Sequence, residues 1–487
     1  MFNQSKFLRT FFFTAALLGI FSSYAQTADN IDVIAVEQGN SLSTITVEET
    51  PVFTLERCLE IALSNNPTIR VADLEIERVD YSKKDVLAQL LPTVAFGANY
   101  NRTLAKQVAY MDFDLGSFGG GFGDDSETPG TSGKENSSNQ SEGIKMGRDN
   151  SWQLGFNASM PLIAPQLWAS MKLTDSQIAQ SVEQARASRL DLINQVSTAY
   201  YQLLLAYDSK QVIRESYDMA ALTHKIYSQQ FSVGAASEYD VLRTSVAMKN
   251  VEPELLQADI AIRRARLQLQ LLLGLPENFA FEIAGKLADY EDTMYDETMK
   301  IDTDYSHNSS LILNELQMET LNRSLQVAKM AFVPTLALSA SYNWTSSSNG
   351  NAFTGLRWSP YSVVGLTLNV PLYQGGARMN KIKETQIQLV QMELTRENLE
   401  NTVGMQVALA LDNIKLNVKQ IASNSESVGQ AVKAHRIMQE SFQIGAASYL
   451  DLRDAELALT RTRLTYYQSI YNYLIARCDL NLLLGRE

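Results

Sequence analysis

Two short turns carry the residue types best placed to do chemistry. The run from Phe231 to Ser237 leads into Asp240, and a near-copy from Phe442 to Ser448 leads into Asp451 and then Asp454. Gly234 and Gly445 suit the left-handed conformation that ends a helix, and Ser237 and Ser448 suit the cap of the next one. Asp240 and Asp451 stand three residues after those serines, where a carboxylate can return a hydrogen bond to the cap. That spacing leaves capping and a separate electrostatic role equally open for both. Asp454 has no capping duty. Between glycine and serine, Ala235, Ala236, Ala446 and Ala447 are short enough to let another helix approach closely.

Other candidate groups are scattered. His224 and His435 occupy equivalent places in the two near-copies but form no ligand cluster, so solvated helix faces are expected rather than a metal site. Asp112, Asp114, Asp124, Asp125 and Glu127 lie in a tract rich in Gly, Ser, Asp and Asn, without calcium-loop spacing. Cys58 and Cys478 could pair in an oxidising compartment or remain unlinked small core residues, and the sequence favours the second. With no phosphate loop, nucleophile triad or zinc spacing, the chain reads as a non-enzyme that needs no cofactor.

The elements that must position these turns begin with an export signal: Lys6 and Arg9, an apolar stretch from Phe11 to Phe21, then small residues ending at Ala25, where cleavage is expected. Neither cysteine lies at that site, so a lipidated N-terminus is not expected. No later segment approaches the roughly 20 apolar residues of a transmembrane helix. Losing Lys6 and Arg9 takes the formal charge from −13 to −15, which disfavours nucleic acid and anionic lipid surfaces as partners.

The mature chain is a duplication. Leu91 to Asn101 recurs as Val333 to Asn343, Phe231 to Ser237 as Phe442 to Ser448, and Leu271 to Gly274 as Leu482 to Gly485, in the same order. Four segments alternate with period two: Val94, Phe96, Ala98 and Tyr100; Trp152, Leu154, Phe156, Ala158 and Met160; Leu336, Leu338, Ala340, Tyr342 and Trp344; Val364, Leu366, Leu368 and Val370. Each has one apolar face, one small or polar face, and a length that suits a tilted membrane strand. Pro92, Pro161, Pro334 and Pro371 mark where strands give way to helices. Four strands cannot close a barrel and unpaired edges are not tolerated in lipid, so three chains supplying twelve strands is the expected solution, with a dimer of eight also allowed by closure.

Between the strand pairs run helices. From about Gln166 to Phe231 there is no Pro or Gly, and Leu190, Ile193, Val196, Tyr200, Leu203 and Tyr207 form a helical stripe. Val403, Val407, Leu411, Ile414, Val418 and Ile421 repeat it. Each helix would be roughly 100 Å long at 1.5 Å per residue. Shorter helices from about Pro67 to Leu90 and Ser237 to Leu273, and from Ser309 to Phe332 and Tyr449 to Leu484, would stack end to end alongside. Pro253 should kink the second of these. The organisation read from this is a signal (1–25), a flexible segment (26–50), a first copy (51–274, strands and loop 93–160, tip 231–240), an acidic linker (275–306), and a second copy (307–487, strands 335–370, tip 442–451). The fold class is all-α with membrane β: duplicated long helical hairpins plus four strands per protomer.

The Asn66-Pro67 break, the Leu91-Pro92 and Val333-Pro334 strand entries, and above all Gly234 to Asp240 with Gly445 to Asp451, resemble the TolC-like outer-membrane efflux protein family over essentially the whole mature chain. That resemblance implies a homotrimer with a twelve-stranded barrel in outer-membrane lipid, continued by a periplasmic helical barrel. It implies an exit duct joined through a periplasmic adaptor to an inner-membrane transporter, in efflux or type I secretion. The tip turns would meet the adaptor. It also places Asp451 and Asp454 among pore-lining acids at the constriction, with Asp240 as the counterpart of Asp451. The family pattern can carry a basic residue in the second tip turn, where this chain has Ala447; Arg243 and Arg453 lie nearby, read as exposed helix charges. The competing reading is a periplasmic coiled-coil adaptor, which would lack strand hairpins with lipid-compatible faces.

Overall fold

In the computed structural model, residues 51–109, 144–291, 294, 303–353 and 355–486 are described. The expected export signal (1–25), the 26–50 segment, most of the Gly/Ser/Asp-rich tract with its five acids, and Asp292, Asp296, Glu297 and Asp302 of the linker lie outside them.

Two compact units are present. The smaller brings Pro51–Phe53 to Ala280–Glu282: β1 (Val52–Phe53) pairs with β6 (Glu282–Ile283), the Glu282 N–H donates to the Pro51 carbonyl at 3.0 Å, and Phe53 stacks on Phe281 at 5.4 Å between ring centres. Two residues per strand leave no period to read, so this ribbon is not legible in the sequence.

The larger unit holds the rest. In chain order its elements are α1 (Leu55–Asn65), α2 (Pro67–Ala88), β2 (Thr93–Arg102), β3 (Gln107–Ala109), β4 (Ile144–Met146), β5 (Asn150–Ile163), α3 (Pro165–Ser232), α4 (Glu238–Leu273), α5 (Ser309–Met330), β7 (Thr335–Ser348), β8 (Ser359–Asn369), α6 (Ala377–Gln443) and α7 (Tyr449–Leu484). Strand β3 pairs with β4 at the outer end of the first hairpin.

The two hairpins join into one antiparallel sheet of order β2-β5-β7-β8. Register carries each apolar face across it: Phe96 opposes Phe156, which opposes Tyr342, and Leu338 opposes Leu366. Phe96 and Phe156 rings lie 5.0 Å apart, and Tyr342 meets Trp344 at 4.6 Å. The opposite face sets Ala95 against Asn157 and Ser341, and Gly97 against Gly155 and Asn343. The buried Asn343 side chain fills the space a Cβ on Gly155 would need, so glycine there is a packing requirement. Within the chain β2 and β8 have one open edge each, and the apolar face is uncovered: Phe96 is 60%, Val364 75% and Leu366 65% exposed.

The outer ends of the hairpins are tied together. Asp149 forms an ion pair with Lys106 at 3.0 Å and accepts from the Gly350 N–H at 3.1 Å, while the Trp152 indole donates to the Ala352 carbonyl and stacks near Phe353.

Helices α3 and α6 run 68 and 67 residues, each roughly 100 Å. Pro165 starts α3 at a position where its missing donor costs little. Gly375 and Gly376, both at positive φ, turn the chain into α6. The shorter helices match between halves, 22 residues for α2 and α5 and 36 for α4 and α7. Helix α4 continues through Pro253.

Where α4 ends and α2 begins, one side chain serves both. The Asn66 carboxamide accepts from the Thr68 N–H, capping α2, and donates to the Leu272 carbonyl near the end of α4. Asn308 repeats this with Ser310 and Leu483. Gly274 and Gly485 end the helices in the left-handed conformation.

Burial differs between the two long helices. Helix α3 packs on α2 and α4 of its own half and on α5 and α7 of the other, so Leu192, Ala199, Tyr201 and Leu204 are buried as well as Leu190, Val196, Tyr200 and Leu203. Ile193 and Tyr207 of the expected stripe are only half-buried, because packing on helices of both halves spreads the apolar surface beyond one seam. Helix α6 packs mainly on α7 and α5; Val407, Ile414 and Ile421 form a buried line at heptad spacing, and Leu411 and Val418 are half-buried. Leu394, Met405, Leu409 and Leu416 remain exposed.

The linker is strapped to the long helices by polar groups. The Tyr200 hydroxyl donates to the Ala284 carbonyl at 2.6 Å, the buried Asp208 carboxylate accepts from the Leu287 N–H at 3.0 Å, and the Tyr466 hydroxyl bonds to Glu291. Burial pushes the Asp208 carboxyl above its ordinary range. Cys58 and Cys478 are free thiols. Burial raises them to about 12 and about 11, so neither is a thiolate at neutral pH.

Candidate functional site: the paired helix tips

Each tip turn is built alike. Helix α3 ends at Ser232, Gly234 takes φ +77°, and the Ala235 N–H donates to the Gln230 carbonyl at 2.8 Å. Helix α6 ends at Gln443, Gly445 takes φ +75°, and the Ala446 and Ala447 N–H groups both donate to the Ser441 carbonyl. The chain then turns into a full capping box. The Asp240 N–H donates to the Ser237 hydroxyl oxygen at 3.2 Å, and the Ser237 N–H and hydroxyl donate to the Asp240 carboxylate at 3.3 and 2.6 Å. The corresponding distances for Ser448 and Asp451 are 3.3, 3.1 and 2.7 Å. These bonds from Ser448 hold the Asp451 carboxyl below the usual carboxylate range. Capping is therefore realised for both acids, with Asp451 exposed and Asp240 half-buried.

Asp454 lies one turn further along α7, exposed, with no ion pair among the described residues. Glu456 is half-buried beside Arg453, and burial raises its carboxyl. Sequence reasoning passed over it, because a single Glu on a long helix gives no sign of burial.

An aromatic and cationic bridge joins the two tips. Tyr227 of α3 approaches Phe442 of α6 and Tyr449 of α7, with ring centres 6.3 and 5.7 Å apart, and the Arg243 guanidinium of α4 sits 5.1 Å from the Tyr449 ring centre. Arg243 and Arg453 are not the exposed helix charges that the sequence suggests; both are half-buried, because Tyr449 recruits them.

The histidines also depart from the expected solvated faces. His224 Nδ1 lies 3.2 Å from the Thr244 hydroxyl, linking α3 to α4, and His435 is half-buried with its pKa lowered by burial and then by Arg463. Among the described residues no three His, Cys, Asp or Glu side chains gather where they could hold a metal ion, and no helix is long and apolar enough to cross a membrane.

The arrangement can present charge, close a gap between helices and offer small-residue surfaces to another helix. The family model described as outer membrane efflux protein matches residues 58–275 and 305–486. Outer membrane protein TolC of Vibrio cholerae is 22% identical over 333 residues, covering 68% of this chain and 76% of that protein. Cation efflux system protein CusC of Escherichia coli is 22% identical over 342 residues, covering 68% and 72%. Among solved structures, the Campylobacter jejuni CmeC outer membrane channel shares the fold with a TM-score of 0.67 at 17% identity, covering 88% of this chain and 85% of that one. With both halves of the duplication inside the matched spans, the chain belongs to the outer membrane efflux protein family.

Proposed function

We propose that three copies of this chain close into a passive exit duct, a twelve-stranded barrel in the outer membrane continued by a periplasmic tunnel of helices. The carrying observation is the four-stranded sheet with an uncovered apolar face and two open edges, β2 and β8. One chain leaves these edges unpaired, which lipid does not tolerate, and β8 of one copy meeting β2 of the next removes every edge. Helix α6 supports the same reading. It packs on two helices of its own half, whereas α3 packs on helices of both halves, and its exposed Leu394, Met405, Leu409 and Leu416 would meet the first half of the neighbouring copy.

In that assembly the tips form the periplasmic entrance. Asp454, with Asp451 and Asp240, supplies threefold rings of carboxylate that attract cations. The turns Gly234 to Ser237 and Gly445 to Ser448 dock a periplasmic adaptor, which couples the duct to an inner-membrane transporter. The chain is exported by its N-terminal signal, cleaved after Ala25 and not lipidated, and it performs no catalysis. Purified from membranes, it should require detergent, have the mass of a trimer and give discrete conductance steps in planar bilayers. Release by a mild salt wash as a water-soluble monomer would instead favour the periplasmic adaptor reading.

A further inference from the structure

The charge of the whole chain argues against anionic lipid, yet the end of the sheet nearest the helices has the opposite local sign. On β8 the apolar face is the even-numbered one, and Val370 and Leu372 carry that parity beyond the last ladder pair at Asn369, 47% and 90% exposed. Tyr373 follows, 85% exposed. This stripe ends at a fixed cation: Arg378 donates to the Pro371 carbonyl at 3.4 Å and places its guanidinium 5.8 Å from the ring centre of Phe332. Lys329 precedes Phe332 by one helical turn and Lys383 follows Arg378 on α6. Both are exposed, and neither they nor Arg378 has an ion-pair partner among the described residues. The nearest acid on α6, Glu384, is taken by Lys381 at 3.0 Å.

Apolar residues that give way to an amphipathic aromatic and then to unpaired cations match the order of layers in a leaflet: acyl chain, interface, phosphate. Resting on the barrel reading, in which this face meets lipid, we propose that Lys329, Arg378 and Lys383 form a binding site for the phosphate of an anionic phospholipid in the periplasmic leaflet, with Leu372 and Tyr373 against its acyl chains. The pair of Arg378 and Phe332 orients a planar donor toward that phosphate. One such site per protomer gives three around the barrel.

The test uses the full trimer delipidated in detergent, mixed with equal phosphatidylglycerol and phosphatidylethanolamine, and weighed by native mass spectrometry. Phosphatidylglycerol should be retained several-fold over phosphatidylethanolamine, up to three per trimer. The preference should vanish in the triple variant Lys329→Gln, Arg378→Gln, Lys383→Gln and for wild type in high salt. The variant's unchanged conductance would show that it still folds; if it fails to fold, Lys383→Gln alone should still reduce the preference. A conducting trimer that retains both lipids equally, or a preference that survives the substitutions or the salt, overturns the site alone. A chain that neither trimerises nor conducts overturns the duct reading and the site with it.

Discussion

Asn66 and Leu272 are 206 residues apart in sequence and 2.8 Å apart in space, and the same clasp recurs between Asn308 and Leu483 at 2.7 Å. Each carboxamide caps one helix and satisfies the frayed end of another, so it joins two stacked helices without a covalent link. Replacing Asn66 or Asn308 with Ala should cost about 1–3 kcal/mol, the sum of a lost cap and a carbonyl left without its donor. Thermal unfolding in detergent should show similar losses for the two, because the geometries match.

The glycines that end the helices should not be equally replaceable. A Cβ on Gly485 would overlap the His307 carbonyl, whereas on Gly274 it would sit 2.9 Å from the Asn65 oxygen, and at Gly234 it would meet nothing within 4 Å. All three have positive φ. Substitution by Ala should therefore cost about 1 kcal/mol at Gly234 from backbone strain alone. Larger losses are expected at Gly274 and the largest at Gly485. Melting temperatures in that order would confirm that contact, rather than φ, sets the ranking.

Acid should loosen the second tip through Asp451. Its folded pKa lies below the ordinary 3.8. The stabilisation is therefore present above that value and is lost as pH falls through the depressed folded pKa. Ser448→Ala removes the hydroxyl partner and should move the loss to higher pH. Hydrogen exchange at the first turn of α7, followed across an acid series, reads this directly; a pH dependence identical to wild type would exclude the hydrogen bond as the cause.

In the proposed trimer, with the tips as its entrance, Asp454→Ala should weaken the block of conductance by multivalent cations in planar bilayers, since three exposed carboxylates that are not held by a cap are lost. Asp240→Ala would remove a cap as well and confound the result. Unchanged cation block in the Asp454 variant would show that the ring lies elsewhere.

The bridge between tips offers a separate handle. Arg243→Gln removes the cation facing Tyr449, a contact worth about 0.5–2 kcal/mol. It should raise resting conductance by letting the second hairpin separate from the first. Tyr449→Phe preserves the ring and should change conductance much less. If Arg243→Gln leaves resting conductance at the wild-type level, the bridge is packing without a part in closure.

Much of this architecture is legible in the chain because it depends on local periodicity. Alternation at Val94 to Tyr100 and its three counterparts survives because one sheet face is apolar throughout, and the absence of Pro and Gly from 166 to 231 declares the long helix. The capping boxes were readable for the same reason: Ser and Asp three residues apart form a local motif. What escaped depends on residues distant in sequence. The Asn66 clasp looks like an ordinary cap until Leu272 is beside it. Arg243 looks like a surface charge until Tyr449 crosses from the other half. On α3, burial on two sides blurs the single stripe, so Tyr201 does not read as core beside Tyr200.

The open edges of β2 and β8 have a genetic consequence. In the proposed ring of identical tiles, one failed tile fails the whole, so a chain damaged along β8 ruins the assemblies it joins as well as itself. Alleles of that kind, such as Val364→Pro, should be dominant when expressed beside the wild type. Alleles that prevent folding altogether should be recessive, because their products never reach the ring.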